Sequence, residues 1–467
     1  MKRVLLLILL LFIIIGATIY YKSKEEVVEV QEVNPQTIHV SLSGSDENDG
    51  SEEHPFRTLS KAAKEAVAGT TVYIHEGTYE EPLEILHSGT KKNPIVFQAY
   101  KQDKVIISGA KMEDKEEDIA LVSIDSKNYI SIKGLILQDL TTELENATTM
   151  GLYVTGSSSH ITIKNNTIRN IRTLHNDGNA HGLAVYGTEG VQDIKIQNNI
   201  VEDLKLGWSE ALVINGNVED FTIEGNTVRN NDNIGIDVIG YEGTASKHDY
   251  ARNGQIINNK VYNNSSYGNP AYRDAYSAGG IYVDGGKSIT IKENTVHDND
   301  IGIEATSEHD GQYAEDITIS HNIVYKNVYT GISIGGYDEE RGGTKNSIIT
   351  KNILYQNDTK GLDGGQLLLQ YDTKNNTIEK NILTSSSSSL FIVNYFTKNE
   401  DNTLLQNIYH KEEKKKGIWV WKEEEYDNFE EFKIASNSDK KSQYIDPKYE
   451  DAENDHFQLN SDSPVSF

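Results

Sequence analysis

"ITIKENTVHD", residues 289–298, sets two short β-branched runs on either side of an Asn, and the pattern returns as "ITIKNNTIRN" at 161–170 and "ITISHNIVYK" at 317–326. Alternating Ile and Thr before the Asn and a second apolar run after it are strand chemistry on both sides of a turn. The Asn recurs at Asn166, Asn199, Asn226, Asn259, Asn294, Asn322, Asn352, Asn381 and Asn407, and Gly134 takes the same place in an earlier copy. Spacings of 26 to 35 residues separate the copies. A strand repeat of this length cannot bury its apolar face alone, so the copies must stack. Asn and Gly tolerate positive φ at low cost, which places them at the tight turn, and stacked Asn amides can bond one to the next. The expectation is a single all-β parallel solenoid over residues 38–407, followed by a C-terminal cap segment over 408–467.

Composition narrows the partners. The 467 residues carry a net charge of −27, which disfavours nucleic acid because phosphate binding needs a basic surface. Cysteine is absent, which excludes disulfides, a thiol nucleophile and Cys-based zinc sites. Tyr outnumbers Phe by 26 to 10, and Tyr pairs a ring face with a hydroxyl, which suits a wet sugar groove. No organic cofactor is implied, and a monomer is expected.

Lys2 and Arg3 precede an apolar run from Val4 to Ile19. This reads as a signal peptide or a single-pass membrane anchor over residues 1–21, with an acidic linker over 22–37, and it delivers the body outside the cytoplasm. The expected location is therefore secreted, or anchored to the outer face of the plasma membrane.

Near the start of the solenoid, Leu59, Ala62, Ala63, Ala66 and Val67 have helical spacing, with Thr58 as N-cap and Gly69 as terminator. Such a helix would plug the open first coil. The surrounding text, "GSDENDGSEEHPFRTLSKAAKEAVAGTTVYIHEGTYEEPLEI" at 44–85, "HSGTKKNPIVFQAY" at 87–100 and "VIISGA" at 105–110, resembles the opening of secreted right-handed parallel β-helix proteins of the pectate lyase-like superfamily. "YIDPKYEDAENDHFQLNSDSP" at 444–464 is similar to the closing segment of that group. The resemblance implies a right-handed solenoid, the pectin lyase fold and action on polysaccharide, with calcium as a frequent partner. It does not extend to the reaction motifs: no Arg-x-Pro-x-x-Arg, Asp-Pro-His-Asp or paired Asn-Thr-Asp and Gly-Asp-Asp sequence is present.

A second strand repeats in register as "GLYVTG" at 151, "GLAVYG" at 182, "ALVING" at 211, "GIDVIG" at 235, "GIYVDG" at 280, "GIEATS" at 302 and "GISIGG" at 331. Period-2 alternation turns Leu152, Leu183, Leu212, Ile236, Ile281, Ile303 and Ile332 inward. It turns Asp237, Tyr282, Asp284 and Glu304 outward on neighbouring coils, where they are the candidate catalytic residues. His181 and Glu210 precede the strand, and Glu308 and His309 follow it. An insertion between Asp237 and Tyr282 adds loops carrying Lys247, Arg252, Tyr272 and Arg273, and these eight residues are the candidate substrate contacts.

Two reactions compete on this face. In a β-eliminating lyase, the favoured reading, Asp237, Asp284 and Glu304 would hold Ca²⁺ against a uronate, and Arg273, Lys247, Arg252 or Tyr282 would move the proton. In a glycoside hydrolase, two of the carboxylates would act as acid and as base or nucleophile. A glycan-binding solenoid without turnover is the non-enzymatic alternative.

Overall fold

The computed structural model describes residues 36–412 and 416–465. The signal or anchor of residues 1–21, and the linker as far as residue 35, lie outside the described residues. The described residues form one unit.

Each coil lays one strand on a first face, a second on an adjoining face, turns at the Asn, and lays a third on the opposite face. The first two faces join into a 26-stranded sheet, and the third is a 13-stranded sheet. Neighbouring coils pair in parallel, as in Ile236 opposite Ile281, Ile281 opposite Ile303, and Ile303 opposite Ile332. The inward positions read from the alternation are all fully buried. Each such side chain contributes roughly 1.5–3 kcal/mol of burial, and the period-2 pattern leaves no other register that hides them.

The Asn ladder forms, one residue away from where positive φ was expected. The left-handed residues are Asn165 (φ 57°), Asn198 (54°), Glu293 (58°) and His321 (57°), each just before a ladder Asn. Gly134 (φ 70°) belongs to that turn series, and Leu135 takes the ladder position, its N–H donating to Asn166 Oδ1. The ladder Asn serves a different purpose. Asn294 Nδ2 donates to Asn322 Oδ1 at 3.0 Å and to the Ile256 carbonyl at 2.8 Å, while its Oδ1 accepts from the N–H and side-chain amide of Asn259. A buried turn without these bonds would strand several polar groups.

The small residue opening each first-face strand has a steric cause. A Cβ at Gly235 would stand 2.6 Å from the Gly280 carbonyl oxygen, and one at Gly302 2.3 Å from that of Gly331.

The capping helix spans Leu59–Glu65, and Thr58 Oγ1 accepts the Lys61 N–H at 3.1 Å. It is capped at Ala66, short of Gly69, because the chain must already turn there into the strand Thr70–Ile74; Val67 is consequently exposed rather than packed. At the other end the coil pattern runs past residue 407, since Ile408–His410 stacks on Ile382–Thr384 and Gln443–Tyr444 stacks on it. Trp419 is buried there among Phe391, Tyr409, Phe429 and Phe432.

Candidate functional site

Asp237 lies opposite Tyr282, Tyr282 opposite Glu304, and Glu304 opposite Ser333, with Asp284 opposite Thr306. The expected neighbours are therefore together. Their exposure is not as expected, for Asp237 is 2% exposed, Asp284 4% and Glu304 6%. The outer side of the first face carries its own packing. Met150, Ala184, Val213 and Ile239 form one apolar cluster with Tyr153 and Tyr186, while Ile234 and Ala278 pack on Tyr282.

The cover over Tyr282 comes from the insertion at 265–278, fixed by a residue that the sequence reading passed over. Asp300 accepts hydrogen bonds from Ser265 Oγ, from the N–H and hydroxyl of Ser266, and from the Ala278 N–H. Asn269 adds bonds to the carbonyls of Gly207 and Asp232.

Burial dominates the electrostatics. It pushes the Glu210 and Glu304 carboxyls up to about 8, and raises Asp237 and Asp284 well above the usual carboxylate range. The neighbouring charges that act on Asp237 are Glu210, Asp284 and Glu308, which push in the same direction. Asp237 Oδ1 has no hydrogen-bond partner among the described residues. Asp284 Oδ1 accepts the Glu308 N–H at 2.7 Å, and the Tyr282 hydroxyl donates to Glu308 Oε1 at 3.3 Å. Glu308 is also raised by burial, an effect opposed by Arg341, which the sequence reading did not single out.

The basic residues expected here stand elsewhere. Arg252 lies on the second face, where it bonds Glu219 Oε2 at 2.8 Å and Asn217 Oδ1 at 2.9 Å. Lys247 and Arg273 are exposed, and neither is among the charges acting on Asp237, Asp284 or Glu304. Their loops follow the insertion outward, so their charge faces water instead of the carboxyls. His309 Nε2 pairs with Glu242 Oε1 at 3.1 Å at the rim.

His181 is buried. Its Nδ1 lies 3.0 Å from the Glu210 carbonyl oxygen and its Nε2 3.2 Å from the Tyr186 hydroxyl, and burial lowers its pKa to about 4. The backbone carbonyl can only accept, so Nδ1 carries the proton and the Tyr186 hydroxyl donates to Nε2. Tyr272 is half-buried, and the charges of Glu210, Glu308 and Asp237 all act on it. Its ring centroid is 5.2 Å from that of Trp208, which is 46% exposed. Trp208 was missed, although "GWSE" at 207–210 places an aromatic two residues before Glu210.

Among the described residues no three His, Asp or Glu side chains are grouped to hold a metal ion. Asp237 and Glu304 are two strand spacings of about 4.8 Å apart with Tyr282 between them, and one oxygen of Asp284 is engaged by Glu308. A calcium site gathers about six to eight oxygens on one point.

Stacked coils, an Asn ladder and a carboxyl cluster on one face define a parallel β-helix protein, and the comparisons agree. Residues 150–341 match the family described as "Right handed beta helix region", and residues 262–445 match "Periplasmic copper-binding protein (NosD)". The fold is the right-handed, pectin lyase-like β-helix. The chain belongs to the family of the uncharacterized protein YwoF of Bacillus subtilis (strain 168), with 58% identity over 449 residues, 96% of this chain and 95% of that relative. Pectate lyase PEL9 of Emericella nidulans is 36% identical over 84 residues, 18% of this chain and 20% of that enzyme. Two solved structures share the fold. The GH136 lacto-N-biosidase from Eubacterium ramulus has a TM-score of 0.53 at 14% identity, covering 81% of this chain and 64% of that one. The mannuronan C-5 epimerase AlgE6 A-module from Azotobacter vinelandii has a TM-score of 0.53 at 15% identity, covering 81% and 91%.

Proposed function

We propose that this protein is an extracytoplasmic enzyme that hydrolyses glycosidic bonds of an uncharged glycan by acid–base catalysis between Glu210 and Glu308. The observation that carries this reading is the pairing of unlike carboxyls over one buried floor. Glu210 is held protonated to about 8 by burial, with 13% of its side chain still exposed. Glu308 reaches solvent, and although its surroundings also raise its pKa, Arg341 opposes that rise. Asp237 lies between their fields, and Tyr272 senses all three. An acid and a base at one pH need their pKa values held apart, and Arg341, acting on Glu308, works in that direction.

In this mechanism Glu210 gives its proton to the glycosidic oxygen as that bond breaks. Glu308 takes a proton from the water that attacks the anomeric carbon. The exposed Trp208 and its partner Tyr272 offer ring faces to a pyranose. An uncharged substrate is favoured because the cluster is acidic and Lys247, Arg252 and Arg273 do not oppose it. The apolar run from Val4 to Ile19 after Lys2 and Arg3 supports export.

The test is a panel of uncharged and uronate-containing polysaccharides, following reducing ends together with the ultraviolet absorbance of an unsaturated uronate. Reducing ends without absorbance support hydrolysis. The local identity to a pectate lyase favours elimination instead, and a rise in both signals would replace the present reading with that one.

A further inference from the structure

A cavity of about 310 Å³ opens on the first face, beside Glu210 and outside the acid pair. We propose that it is a subsite for one uncharged pyranose ring, next to the bond that Glu210 protonates; the assignment of a glycan substrate rests on the function proposed above.

Its walls are Tyr153 and Tyr186, with ring centroids 6.0 Å apart and planes at 65°, and buried Met150 also lines it. Polar groups converge from one side. Asp118 stands at the rim, and its Oδ1 accepts the Thr148 N–H at 3.0 Å, which leaves Oδ2 for a sugar hydroxyl. Asn179 Oδ1 accepts the Ser209 hydroxyl at 2.8 Å, which leaves the Asn179 amide as a donor. Ring faces, one acceptor and one donor are the chemistry that recognises a polyhydroxylated ring. The volume is at the lower end of the roughly 300–1,000 Å³ of small-molecule pockets, which suits one ring better than a chain.

Charge selects among sugars. Among the described residues no Lys or Arg lines the cavity, His181 is neutral at its back, and the Asp118 side chain stands at its mouth. A uronate carboxylate would enter against Asp118 with no cation to meet it, whereas a hydroxyl would find an acceptor. The position relative to the chemistry follows from the chain, since Ser209 lines the cavity and is bonded to Glu210, whose carbonyl holds His181.

The experiment is saturation-transfer NMR on the purified protein with methyl glucoside, methyl galactoside, N-acetylglucosamine and galacturonate as probes. Variants Tyr153→Ala, Asp118→Asn and Glu210→Gln are measured alongside, with a melting curve for each. The expected result is binding of at least one uncharged probe, with galacturonate about tenfold weaker. Asp118→Asn should lose about tenfold, the worth of one charge-assisted hydrogen bond, at an unchanged melting temperature, and Tyr153→Ala, which also leaves the apolar cluster of this face, should lose a similar factor while still melting cooperatively at a lower temperature. Glu210→Gln should bind as the unaltered protein does while losing turnover. Galacturonate binding as tightly as the uncharged probes, no uncharged probe binding, or affinity unchanged in both Asp118→Asn and Tyr153→Ala would overturn the subsite. Turnover unchanged in Glu210→Gln with sugar binding intact would sink the catalytic reading and leave the subsite standing.

Discussion

Asp284 Oδ1 accepts the backbone N–H of Glu308 at 2.7 Å, tying the end of a first-face strand to the loop that carries the exposed carboxylate. The Tyr282 hydroxyl, 3.3 Å from Glu308 Oε1, is a second and longer tether. Asp284→Asn keeps an oxygen that can accept the same N–H, while Asp284→Ala does not. On the proposed mechanism kcat in the alanine variant should fall about 10²-fold or more, in the range of a lost general base, and the asparagine variant should retain most of it. Steady-state kinetics on whichever glycan the panel identifies decides this.

Stability should depend on pH in the direction opposite to ordinary acid unfolding. Glu210 and Glu304 titrate at about 8 in the folded chain against a reference of 4.5. Across that window the folded state keeps protons that the unfolded state releases, so stability is full below about 4.5 and is lost as the pH rises through about 8. Each pH unit between the folded and unfolded titration points corresponds to about 1.4 kcal/mol. The melting temperature should therefore fall between pH 5 and 8, and Glu304→Gln should flatten the slope and melt higher at pH 8. A melting temperature that rose over this range, unaltered by the substitution, would mean these carboxyls are ionised.

The two neighbouring positions of the turn predict opposite responses. Asn294→Ala removes four hydrogen bonds inside the ladder and strands the buried Asn259 N–H and Ile256 carbonyl, while Asn322 Oδ1 keeps the Asn294 N–H. At about 1–3 kcal/mol for each stranded group, the loss should be about 2–6 kcal/mol. One residue earlier, Glu293 sits at φ 58°, where Asn is tolerated better than Glu, so Glu293→Asn should be neutral or stabilise by up to about 1 kcal/mol. Urea midpoints of the two variants provide the comparison.

Chelation should change neither activity nor the melting temperature, because Asp237, Asp284 and Glu304 do not converge on one point. A loss of activity with EDTA that returns with Ca²⁺ would show that substrate completes a cation site and would reinstate the lyase reading.

The strand register and the inward residues were legible because alternation is local and repeated, so every copy corrects the others. Placing the ladder Asn at positive φ was off by one because Asn suits both a left-handed turn and an amide ladder, and "KNN" at 164–166 contains one of each. The burial of Asp237 was not legible. The face around it is built by long-range packing, with Asp300 pinning a loop that begins 35 residues earlier over Tyr282, and Met150 and Tyr186 packing on the face from preceding coils. For the same reason Arg341, two coils beyond Tyr282, was passed over while the nearer Arg252 was chosen, although Arg252 turns to the second face and pairs with Glu219.

The most direct measurement is the infrared difference spectrum between the protein and Glu210→Gln at neutral pH. With Glu210 at about 8, the substitution should remove the carbonyl stretch of a protonated carboxylic acid. Loss of an ionised carboxylate band in its place would show that Glu210 holds no proton to give, and would contradict the acid–base pairing on which the proposed function rests.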